Sequence, residues 1–155
     1  MQPNKSRSAA VKVLALAVLF ATTSSFSGTW GGDSYRVYVN NKLVLEEFVY
    51  NQKSIKSISL DQRSPGDEIS VYYSHCGKAG HARHITIKDA DTKALKVWNF
   101  GDGTNAKEAM TWKAKDVMGL TKNGAKLGMF YSSKELPDGK MLASIVVGKD
   151  NTTRP

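Results

Sequence analysis

Residues 68–88 read EISVYYSHCGKAGHARHITIK, two β-type runs on either side of a glycine-bearing loop. Glu68–Ser74 places Ile69, Val71 and Tyr73 on one face, and Ala82–Lys88 does the same for Ile85 and Ile87. A repeat of two is the strand period, because successive side chains point to opposite faces. If Tyr73 sits opposite Ile85, then Val71 falls opposite Ile87 and both apolar sets share a face. The two runs are therefore expected to pair as an antiparallel hairpin closed by His75–His81.

The same period extends in both directions. Tyr35, Val37 and Val39 alternate with polar partners, and Asn40-Asn41 supplies a turn into Lys42–Val49, since Asn tolerates positive φ. Ser54–Leu60 is a shorter run, and Ser64-Pro65-Gly66 is a turn in which Pro sets one φ and Gly releases the next. Further strands are expected at Leu95–Phe100, Ala109–Ala114, Lys126–Ser132 and Met141–Val147. One helical turn is expected at Lys115–Leu120, and Leu136-Pro137-Asp138-Gly139 is expected to join the last two strands. About nine short strands with turn chemistry between them predict an all-β fold. The expected form is a single antiparallel β-sandwich of immunoglobulin-like architecture, ahead of a small closed barrel.

The amino terminus reads differently. Lys5, Arg7 and Lys12 precede the apolar run Val13–Ala21, and small polar residues follow it. A basic start, a short apolar stretch and small residues near an exit point are the marks of a cleavable secretory signal, assigned here to residues 1–27. Nine apolar residues fall short of the ~20 that a spanning helix needs. The sandwich is then assigned to 28–148 and a disordered polar tail to 149–155. This predicts an exported protein, periplasmic or secreted, with no transmembrane anchor. The 155-residue chain carries 22 basic and 14 acidic residues. Without residues 1–27 the excess falls to +5. It is spread along the chain with no recognition motif, which argues against a nucleic-acid partner.

All three histidines and the single cysteine lie within ten residues: His75, Cys76, His81 and His84. Thiolate and imidazole suit copper or zinc, so a metal site on this hairpin is one expectation. The spacing matches no standard zinc motif, and Lys78 and Arg83 put positive charge beside the would-be cation. Asp89, Asp91 and Asp102 read as turn residues that satisfy backbone donors, ahead of calcium ligands. Tyr38, Tyr72 and Trp98 fall on the parity opposite their apolar neighbours. Such rings can stack on a sugar or anchor a partner.

Trp98-Asn99-Phe100-Gly101-Asp102-Gly103-Thr104 resembles the Trp-x-Phe-Gly-Asp-Gly-Thr signature of PKD domains, which are extracellular immunoglobulin-like sandwiches. The resemblance covers seven residues, and the strand string that follows in that family is missing after Asn105. It implies a sandwich that acts as an interaction module. No nucleophile elbow, metallohydrolase pattern or phosphate loop is present. The expected function is a noncatalytic exported module binding a protein, glycan or envelope component through Trp98, Tyr72 and Tyr38. A copper- or zinc-binding protein using His75, Cys76, His81 and His84 is the alternative, and a small secreted hydrolase the second.

Overall fold

The computed structural model describes residues 32–60, 66–121 and 124–148. The expected signal, its cleavage point, the Ser64-Pro65 part of one turn and the tail from Lys149 lie outside them. Among the described residues, nine strands form two packed sheets. One holds β1 (Ser34–Val39), β2 (Lys42–Phe48), β4 (Glu68–Ser74) and β7 (Met110–Lys113), in the order β2-β1-β4-β7. The other holds β3 (Ser57–Leu60), β5 (Arg83–Lys88), β6 (Ala94–Gly101), β8 (Lys126–Ser133) and β9 (Leu136–Val147), in the order β3-β9-β8-β5-β6. A short helix, α1 (Ala114–Met118), continues from β7 and buries Ala114 and Val117.

Alternation builds the core. Tyr35, Val37, Leu45, Ile69, Val71, Tyr73, Met110 and Trp112 point inward from the first sheet. They meet Ile85, Ile87, Leu127, Met129, Tyr131, Ala143 and Ile145 from the second, all nearly inaccessible to water. The Asn40-Asn41 turn closes β1 onto β2 with φ of 50° and 62°. The Asn40 side chain is held by Asp67 Oδ1 at 2.7 Å and by the Glu68 N–H at 2.9 Å.

Three expectations fail, each for a physical reason. The runs at 68–74 and 82–88 do not pair. β4 lies between β1 and β7, and β5 lies between β6 and β8. Their apolar faces look at each other across the core, an arrangement that the same alternation serves equally well. The sandwich is also not wholly antiparallel, because β3 runs parallel to β9 along one edge. The last hairpin turns at Lys134-Glu135, with Ser133 opposite Leu136. Pro137-Asp138-Gly139 instead makes an irregularity inside β9, with Gly139 at φ 71°.

Candidate functional site

The loop from His75 to Ala82 carries the chain from one sheet to the other. Its first turn is tight: His75 N–H donates to Lys78 O (2.8 Å), and Lys78 N–H to His75 O (3.0 Å). Cys76 and Gly77 take φ of 51° and 89°, the pattern of a type I′ turn. Ala82 also adopts positive φ, at 48°, a conformation that costs an L residue about 1–2 kcal/mol. It is held there by its N–H donating to Asp102 Oδ1 at 2.8 Å.

His75 is drawn inward, its side chain 11% exposed, where it gathers groups from distant parts of the chain. Nδ1 lies 2.9 Å from Asp33 Oδ2, while Nε2 lies 3.0 Å from Tyr131 Oη and 3.1 Å from Ser133 Oγ. With the proton on Nδ1, the ring donates to the carboxylate and accepts from a hydroxyl, so both nitrogens are satisfied. Tyr73 OH donates to the same Asp33 oxygen at 3.1 Å, and its ring stacks on that of Tyr131 with centroids 3.9 Å apart. Burial pushes the Tyr73 hydroxyl well above its ordinary pKa, with Asp33 adding to the shift, and burial also raises Tyr131. Gly80 closes this cluster, since a Cβ there would stand 2.4 Å from Tyr131 Oη and 2.9 Å from His75 Nε2.

The other sequence-predicted ligands go elsewhere. His81 is exposed, and its Nδ1 sits 2.5 Å from Glu135 Oε1. Hydrogen bonds from the His81 side chain and backbone pull the Glu135 carboxyl down to about 2. Cys76 is exposed, with Sγ 3.8 Å from Asp33 Oδ1. His84 stands in β5, with Nδ1 2.5 Å from Asn99 Oδ1 of β6. The hairpin expected to carry these four ligands does not form, because β4 and β5 lie in different sheets. Among the described residues no group of three or more His, Cys, Asp and Glu side chains is placed to hold a metal ion.

The Gly101–Thr104 turn docks on this same loop, which explains its composition. Gly103 N–H donates to Gly80 O at 2.9 Å, and a Cβ on Gly103 would fall 2.6 Å from the Ala79 Cβ. Beneath it, Arg83 is 3% exposed and reaches Glu108 Oε1 at 2.6 Å. The Thr104 N–H and hydroxyl bind the other Glu108 oxygen at 2.8 and 2.7 Å. Those donors and Arg83 lower the Glu108 carboxyl to about 2. Asp89 plays the expected turn role, accepting from the Asp91 and Lys93 N–H groups.

The aromatic residues divide. An irregularity between Ile87 and Lys88, which pair with Lys96 and Ala94, gives β6 one extra residue at Leu95. It shifts the parity, so Leu95, Trp98 and Phe100 all pack against the core. Trp98 is half-buried and stacks on Trp112 at 5.2 Å, a correction to its expected outward position. Tyr38 and Tyr72 do face outward from the first sheet. They meet edge to face at 5.3 Å, with the Arg36 guanidinium 5.6 Å from the Tyr72 ring centre.

Beside them runs an apolar rim that strand counting missed. Six large apolar residues among those described are exposed. Five of them, Leu43, Val44, Phe48, Tyr50 and Ile55, lie within thirteen positions on β2 and the segment after it. Leu43 pairs with Tyr38 across the sheet, and Phe48 packs on Tyr50 at 6.0 Å. Side-chain alternation on an edge strand does not reveal which face another layer covers, so no local signal marked this rim.

No protein-family model matches this chain, and no curated protein matches it in sequence.

Proposed function

We propose that the chain is an exported, noncatalytic binding module of immunoglobulin-like architecture. It docks a partner protein on the outer face and edge of the β2-β1-β4-β7 sheet. The observation that carries this reading is the concentration of exposed apolar side chains between Leu43 and Ile55, of which Leu43 pairs across the sheet with Tyr38 of the Tyr38–Tyr72 pair. A contiguous apolar patch costs solubility, and surfaces that keep one use it for contact. Tyr, Phe and Arg are among the residues enriched at protein–protein interfaces, and Tyr and Arg also where contact energy concentrates. The four-plus-five strand arrangement and the basic, apolar amino terminus support the architecture and the export.

The test places a photoreactive benzoyl-phenylalanine at Tyr50, and separately at Val97 as a control on the opposite sheet, in cells that produce the chain. A discrete adduct from position 50 that is absent from position 97 is the expected result. No adduct, or equal adducts from both positions, overturns the reading.

One observation favours a second reading, a small secreted hydrolase. Ser133, His75 and Asp33 stand in line at 3.1 and 2.9 Å, the spacing of a nucleophile, its base and an orienting acid. Ser133 is only 5% exposed, which ranks this reading second. Labelling by a fluorophosphonate that is lost in Ser133→Ala would support it, and absence of labelling would end it.

A further inference from the structure

A groove of about 530 Å³ opens between the outer edges of the two sheets, where β2 ends one and β3 ends the other. Val39, Val44 and Ile58 give it apolar walls. Ser57 and Ser59 line its β3 side, and Lys42 is the one charged residue among the described residues of its lining. The hydrogen bonds of β3 show which backbone groups face it. Ser144 N–H donates to Lys56 O at 2.9 Å, and Gly148 N–H donates to Leu60 O at 3.3 Å, so the even-numbered residues turn toward β9. Backbone groups alternate sides along a strand, so the N–H and C=O groups of Ser57 and Ser59 point away from β9, to the groove side. A row of such groups is a template for another strand. β2 is a poorer template, because its pairing with β1 shifts register at Val44. The pairing of β3 is regular across all four residues.

We propose that this groove takes an extended peptide segment of a partner protein, which pairs with Ser57 and Ser59 as a sixth strand of the β3-β9-β8-β5-β6 sheet. Main-chain bonds hold such a segment, while alternate side chains supply selectivity. Its apolar side chains drop between Val39, Val44 and Ile58. An acidic side chain meets Lys42, the one charged residue among the described residues of the lining. The inference rests on the proposed function and adds the backbone pairing to it.

The probe is the blocked hexapeptide Asp-Val-Thr-Val-Thr-Val, compared with the same peptide N-methylated at alternate amides and titrated against the full chain. Amide exchange is followed at Ser57 and Ser59. Expected results are at least tenfold slower exchange at both amides, at least tenfold weaker binding of the methylated peptide, and severalfold weaker binding to Lys42→Glu. Ser59→Pro removes a groove-facing donor and leaves the bonds to β9, and it should weaken binding while the melting temperature stays close to that of the parent. Equal binding of both peptides overturns the strand pairing and leaves the rim reading standing. Absence of binding at millimolar peptide while Tyr50 adducts persist does the same, and loss of the adducts as well overturns both. Exchange that slows with protein concentration alone overturns the proposal in favour of a second copy of the chain.

Discussion

Arg83 and Glu108 form an ion pair 2.6 Å long in which the guanidinium is 3% exposed and the carboxylate 36%. The asymmetry matters, because the two partners lose different things when the pair is broken. Glu108 can return to water, but Arg83 cannot without pulling β5 from the sheet. A buried charge deprived of its partner is more costly than a pair removed whole.

Glu108→Gln is therefore expected to lower the urea midpoint more than Arg83→Met does, although both break the same contact. Arg83→Met should cost no more than about 2 kcal/mol, since a linear apolar side chain can fill the space and strand no charge. The double variant should resemble Arg83→Met. Chemical denaturation of the three variants checks the order, and equal losses would show that the guanidinium stays hydrated.

Acid should weaken the fold over a defined window. Glu108 and Glu135 both fall from an ordinary 4.5 to about 2, because backbone and side-chain donors stabilise their charged forms. A carboxyl whose folded value is depressed supplies stability that is complete above its unfolded value, and this is lost as pH falls toward the folded one. The loss is expected between about pH 4.5 and pH 2. Glu135→Gln should flatten the descent. Matching slopes for parent and variant in that range would rule out this carboxyl as a contributor.

Trp98 and Tyr72 should separate in their effects. Trp98→Ala removes a ring stacked on Trp112 and is expected to cost about 2 kcal/mol of stability. Tyr72→Ala, on the outer face, should cost under about 1 kcal/mol. Partner adducts from position 50 should weaken for Tyr72→Ala and persist for Trp98→Ala. The reverse pattern would move the contact surface to the second sheet.

Two tight turns were legible from local chemistry alone. Asn40-Asn41 closes its hairpin because two neighbouring residues accept positive φ, and Asp89 caps its own turn because its acceptor lies two and four residues from the donors. The all-β composition of two packed sheets was equally legible, because period-two alternation runs through most of residues 34–147. What alternation lacks is a partner for each strand. Ile69, Val71 and Tyr73 bury the same face whether Ile85 and Ile87 lie beside them or across the core, so only the tertiary structure decided that β4 and β5 part. One extra residue at Leu95 then reversed the outlook of Trp98, since a period of two is inverted by a single insertion. The histidine cluster shows the same limit. Its four residues are neighbours in sequence, but the groups that hold them, Asp33, Asn99, Tyr131, Ser133 and Glu135, come from other strands and turns. Residue type alone determined that this loop would be rich in donors and acceptors. Folding determined which of them turned inward, because a buried polar atom without a partner is costly and the partners of His75 lie far along the chain.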